Sequence, residues 1–131
     1  MTIKDIANEF QGKSFGKEEQ EAEEKIIKYL GVPLENKSNS QGTFESERGH
    51  TTIGFDNGYK VSIVNGFGSY TENHFNTSLI SNEKRPVVSH YCEVAIIFKD
   101  NLVNPLGWND NVKGYVSLAE LLKILNDVSK L

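Results

Sequence analysis

GYKVSIVNGFGSYTENHFNTSLISNEKRPVVSHYCEVAIIFKD, residues 58–100, holds the two runs that read most clearly as core strands, Tyr59–Val64 and Val87–Phe98. In the second run His90, Cys92, Val94, Ile96 and Phe98 share one face. Tyr91, Ala95 and Ile97 share the other, interrupted by Glu93. Apolar residues on both faces predict a central strand covered on two sides. Between the runs lies Phe67–Pro86, aromatic at its start and polar afterwards. Its Thr71–Pro86 part has no clear periodicity, and long loops of that kind in a compact domain are often functional. This segment is the expected functional surface.

Toward the N-terminus, Thr51–Phe55 faces Tyr59–Val64 across Asp56-Asn57-Gly58. A two-residue Asn57-Gly58 turn would set Ile53 opposite Ser62, against the hydrophobic pattern. A three-residue loop with Gly58 left-handed pairs Phe55 with Tyr59, Ile53 with Val61 and Thr51 with Ile63. That register sets like against like and is the one expected. Thr43–Glu47 is a further candidate strand before the hairpin. Gly66-Phe67-Gly68 lacks the spacing of a phosphate-binding loop and reads as a bend or bulge leaving the strand.

Beyond the stretch, Lys99-Asp100-Asn101 turns the chain and Leu102-Val103 begins a return strand. Asn104–Asn111 is a loop carrying the single tryptophan, Trp108. Val112–Val116 is short and extended. Ser117-Leu118-Ala119-Glu120 then has capping-box spacing, with Val116 and Leu121 at the staple positions. Leu118, Leu121, Leu122 and Leu125 follow helical spacing, and Val128 extends the stripe, so this helix should lie across the sheet. Near the other end, Lys17–Leu30 reads as a helix with Ala22, Ile26 and Leu30 on one stripe. Its acidic start, its late Lys25 and Lys28, and Gly31 with Pro33 after it all suit a helix. Glu21–Lys25 and Glu24–Lys28 are spaced as ion pairs along it. Ile3, Ile6 and Phe10, with Thr2 and Asp5 in a capping-box relation, predict a short helix over 3–10; a loosely docked terminal turn is the alternative. Residues 36–42, NKSNSQG, are a loop or hinge.

These elements predict one α+β domain across 1–131. Residues 43–131 supply an antiparallel sheet of four or five strands with a C-terminal helix packed on it, and 1–35 supply an N-terminal helical segment. A chain of 131 residues suits a single domain and buries enough surface without a disulfide or metal staple. The net charge of -4 argues against non-specific binding to nucleic-acid backbones. The acidic excess sits at Glu18–Glu24 and reads as a solvated helix face. The N-terminus is too polar for a signal peptide, and no apolar run approaches the ~20 residues of a membrane span. The single cysteine, Cys92, cannot form an internal disulfide. The cytoplasm is the expected location.

Three constellations offer chemistry. His90 and Cys92, two residues apart on one expected strand face, present an imidazole beside a thiol. Parallel side chains suit a nucleophile and its base poorly, and free cysteine is among the most buried residue types, so a core role is expected. His74, His90 and Cys92, with Glu93 or His50, are the conceivable metal ligands, but their spacing matches no usual zinc pair; neither a metal nor a cofactor is expected. Glu45, Glu47, Arg48 and His50 cluster at an expected turn and read as solvated. Phe67, Tyr70, His74 and Phe75, together with Trp108, are the candidate protein-binding residues, because large aromatics anchor interfaces. The alternative is that Phe67 and Phe75 tuck under the loop as a satellite core.

NGYKVSIVNGFGSY, YCEVAIIF and DNVKGYVSLAELLKIL, spread over about residues 57–128, resemble a group of small uncharacterised phage and prophage accessory proteins. Their shared shape is an Asn-Gly-Tyr strand ending in a Ser-Tyr turn, a Glu-Val-Ala strand, and a Gly-Tyr strand leading into a C-terminal helix. The longer Thr71–Pro86 insert and the N-terminal helical region depart from that pattern. The resemblance implies an α+β accessory protein of phage or mobile-element origin, working in the host cytoplasm, and no catalytic residue. The function expected is non-enzymatic binding of a host or phage protein, inhibition of a host defence system (anti-CRISPR-like) being one form. One alternative is a small enzyme or a ligand- or metal-binding protein using His74, His90, Cys92 and Glu93. Another is a self-associating homodimer.

Overall fold

The computed structural model describes residues 2–12, 19–31, 42–80 and 86–131, with backbone alone for 19–22. The hairpin folds as its hydrophobic pattern requires. Strand β2 (His50–Gly54) pairs antiparallel with β3 (Tyr59–Val64), and Thr51 faces Ile63 while Ile53 faces Val61. The Phe55 amide donates to the Tyr59 carbonyl at 2.9 Å, and Gly58 takes φ 89°, the left-handed value that glycine tolerates. Ile53, Val61 and Ile63 are thereby set on the core face.

The run Val87–Phe98 is two strands, not one. β4 (Val87–Ser89) ends at a bend over His90 and Tyr91, and β5 (Cys92–Phe98) begins after it. The cause is a distant carboxylate. Glu72 accepts the His90 amide at 2.8 Å and the Tyr91 amide at 3.1 Å, taking both donors away from a strand ladder. β5 is central, with β3 on one side and both β6 (Asn101–Val103) and β7 (Val112–Val116) on the other. β4 pairs with β1 (Phe44–Ser46) in a separate two-stranded sheet. The candidate strand at 43–47 thus exists, but it serves β4 and not the hairpin.

One face of the five-stranded sheet carries Cys92, Val94 and Ile96 at zero exposure, while Glu93, Ala95 and Ile97 opposite are only half-buried. The expected cover on two sides is therefore full on one. That cover is α3 (Leu118–Ser129), whose cap is made by Ser117 accepting the Glu120 amide at 3.3 Å. Leu118, Leu121, Leu122, Leu125 and Val128 all enter the core. Gly42 lies against Leu118 so closely that a side chain there would overlap it.

The N-terminal helices join the same core through Ile3, Ile6, Phe10 and Ile26. α1 (Ile3–Phe10) is a firmly docked helix with the expected capping box between Thr2 and Asp5. Thr2 bridges to Glu45, and the Gly12 amide donates to the Gly54 carbonyl at 2.7 Å, so both ends of α1 are tied to strands. α2 (Glu19–Leu30) stops where Gly31, at φ 74°, donates to the Ile27 carbonyl. Lys25 and Lys28 reach across to Glu9 of α1, at 2.8 and 3.4 Å. The i, i+4 partner expected for Lys25, Glu21, and the core position Ala22 have side chains outside the described residues, as do residues 17–18 and most of the 36–42 loop.

Candidate functional site

The segment after β3 is built around buried polar groups. Asn65 is wholly buried. Its Nδ2 donates to the Ser89 hydroxyl at 3.0 Å and the Val87 carbonyl at 3.3 Å, and its Oδ1 accepts from Ser46 at 2.7 Å. Asn73 Nδ2 donates to the Asn65 carbonyl at 2.8 Å and to that of Val88 at 3.1 Å. Between them, Ser69 donates to the Gly66 carbonyl at 2.6 Å and lies 2.8 Å from the Thr71 hydroxyl. Thr71 in turn accepts the Asn73 amide at 3.0 Å. Buried polar groups with every partner in place fix one conformation, because breaking any one bond strands its mate without water.

Side chains pointing away from this network are aromatic and exposed. Phe75 is 85% exposed and Phe67 47%, so neither tucks under the loop as a satellite core. The Tyr70 and His74 rings stack at 5.9 Å, and His74 meets Phe75 edge-on at 4.4 Å. The Ser69 carbonyl, an acceptor only, lies 3.0 Å from His74 Nδ1, so that nitrogen carries a proton.

The structure adds two tyrosines that sequence reasoning left out. β7 carries a bulge opposite Glu93, where the register with β5 shifts. Tyr115 sits in that bulge at φ 51°, a left-handed backbone rare for a bulky side chain. Its amide donates to the Tyr70 carbonyl at 2.8 Å. Gly114 permits the approach, since a Cβ there would lie 2.6 Å from the Tyr70 Cβ. Tyr91 then meets Tyr115 edge-on at 6.0 Å. Gly114 beside an aromatic was the available signal for this bulge; nothing in the sequence announced the role of Glu72.

Tyr70, Thr71, Glu72, His74, Phe75 and Tyr115 line a shallow groove of about 380 Å³. Glu93 lies beside it. Burial pushes the Glu93 carboxyl up from the usual carboxylate value, opposed by the Tyr70 amide and by nearby His74. Trp108 is not brought to this groove. It is half-buried against the core, clamped by Asn104, which accepts its amide at 2.8 Å and donates to its carbonyl at 2.6 Å.

The His90–Cys92 pair does not exist as a pair. The bend turns His90 to solvent, where its Nδ1 lies 3.1 Å from Glu72. Cys92 is fully buried, and desolvation pushes its thiol well above the usual range. A thiol held protonated and away from its imidazole is not an activated nucleophile. His50 sits on β2, 3.0 Å from Ser62. Among the described residues, no three His, Cys, Asp or Glu side chains cluster so as to hold a metal ion, and no helix is long and apolar enough to cross a membrane. No protein-family model, curated protein or solved structure matches this chain.

Proposed function

We propose that this chain works by binding a protein partner through the surface formed by Phe67, Tyr70, Phe75, Tyr91 and Tyr115, with His74 beside them. The observation that carries the reading is exposed aromatic area on a backbone already fixed by the buried Asn65–Ser69–Thr71–Asn73 bonds. Binding then orders little that is not ordered beforehand, and large rings supply contact area at low entropic cost. The resemblance of residues 57–128 to phage accessory proteins directs the partner class toward a host protein in the cytoplasm, defence components among them. The alternative of a small enzyme or ligand- or metal-binding protein using His74, His90, Cys92 and Glu93 is weakened at Cys92, whose buried, protonated thiol is a poor nucleophile.

The test is capture from host lysate by the native chain and by a variant with Phe67, Tyr70 and Phe75 all changed to Ala. The folded variant is expected to lose the partner. A triple variant that keeps its circular dichroism and retains every captured protein overturns the assignment of this surface. Sedimentation across a concentration series distinguishes a second copy of the chain as the partner, with self-association expected to vanish in the same variant.

A further inference from the structure

We propose that the groove between Tyr70 and Tyr115 seats an arginine side chain of the protein partner, its guanidinium against a tyrosine ring and hydrogen-bonded to Glu72. The inference rests on the reading that this surface binds protein, and it adds the chemistry of the anchor.

Charge decides what the groove will take. Its walls are aromatic, and Glu72 supplies a carboxylate that is already held in place. Glu72 Oε2 receives both the His90 amide and its Nδ1, at 2.8 and 3.1 Å, whereas among the described residues Oε1 receives the Tyr91 amide alone, at 3.1 Å. A carboxylate oxygen accepts two hydrogen bonds, so Oε1 keeps capacity toward a guest. Among the described residues no lysine or arginine lines the groove. An apolar guest would desolvate Glu72 and return nothing, while a cation would be attracted by both the carboxylate and the ring faces. The chain's net charge of -4 acts in the same sense at longer range. A guanidinium is planar, stacks on tyrosine and donates in a fork; an ammonium is a strongly hydrated point charge that does neither.

Tyr115 supplies the independent observation. A residue at φ 51° in a bulge is placed most easily by glycine or asparagine, and Gly114 stands one position away. The chain instead keeps a tyrosine there, 59% exposed, with its ring on the groove wall. Strain retained at an exposed aromatic points to contact and not to packing.

The experiment is an amide NMR titration of the full chain with three probes: Nα-acetyl-arginine amide, its neutral citrulline counterpart, and Nα-acetyl-leucine amide. The arginine probe is expected to shift the amides of Tyr70, Glu72, Phe75 and Tyr115. Citrulline, which loses the attraction to the Glu72 carboxylate as well as to the ring, is expected to bind at least roughly two- to fivefold more weakly, the factor a surface cation–π contact alone supplies. Tyr115→Asn, which suits the left-handed backbone, is expected to stay folded and lose the arginine-induced shifts. Equal binding of citrulline, shifts confined to other regions, or an unchanged titration in Tyr115→Asn would each overturn the proposal. If leucine amide shifts these amides and arginine amide does not, the anchor is apolar: the arginine assignment fails and the protein-binding reading stands. If arginine amide behaves as expected while the Phe67/Tyr70/Phe75 triple variant still captures every partner, the wider reading fails and takes with it the assignment of the arginine to a partner, leaving only the groove's preference for a guanidinium.

Discussion

Asn57 in the β2–β3 turn donates through Nδ2 to the Val128 carbonyl at 2.8 Å and to that of Leu131 at 3.3 Å, so a hairpin tip closes the C-terminal end of α3 from 71 residues away. The last turn of α3 has no basic side chain to serve its carbonyls. The same side chain accepts the Tyr59 amide through Oδ1 at 3.0 Å. Asn57→Ala is expected to lower stability by about 1.5–4 kcal/mol in urea unfolding, the scale of three modest hydrogen bonds. Asn57→Asp keeps the acceptor for Tyr59 but loses both donors and sets a negative charge at a helix C-terminus. It should be no more stable than the alanine variant. An aspartate variant matching the native protein would reduce Asn57 to local turn chemistry.

Leu122 and Leu125 are fully buried between α3 and the sheet. Leu122→Ala or Leu125→Ala should each cost about 2–5 kcal/mol by urea unfolding, combining lost burial with a cavity that closes only in part. Leu131, 45% exposed, serves as the control and should change stability little when made alanine.

Cys92 gives a probe of the fold. Its burial and raised thiol pKa predict negligible reaction with a disulfide reagent in the native protein and full reaction in denaturant. Rapid labelling of the native chain would contradict the placement of β5 at the centre of the core.

Two carboxylates should pull stability in opposite directions across acid pH. Glu9 is held below its ordinary 4.5, first by the hydrogen bond from Lys25, so its contribution is present above that value and is lost as pH falls through the folded-state pKa. Glu93 is raised above 4.5 by burial. Its folded form keeps the proton longer than the unfolded chain, so the contribution is full below 4.5 and is lost as pH rises through the folded-state pKa. Glu93→Gln leaves an acceptor for the Tyr70 amide without the charge. Urea unfolding should show this variant gaining on the native protein between acid and neutral pH, and Glu9→Gln losing ground over the same change.

Local chemistry was readable and distant chemistry was not. The hairpin register followed from the phase of Ile53, Val61 and Ile63, and the start of α3 from Ser117 and Glu120, because those signals lie within a few residues of what they determine. The break at His90–Tyr91 is imposed by Glu72, 18 and 19 positions earlier, and the partnership of β1 with β4 crosses the whole hairpin. Neither leaves a periodic trace. The aromatic segment was visible as composition, with Phe67, Tyr70, His74 and Phe75 in view. Tyr91 and Tyr115 were hidden because a bend and a bulge turn them toward it, and the half-buried place of Trp108 against the core was not readable because a lone tryptophan in a loop looks the same whether it faces solvent or the core.

The residues that fasten the 66–75 segment, Asn65, Ser69, Thr71 and Asn73, are a different set from those it displays, Phe67, Tyr70 and Phe75. Substitutions among the displayed rings leave the fastening untouched. If this face binds a partner as proposed, it can be re-aimed one side chain at a time on an unaltered frame.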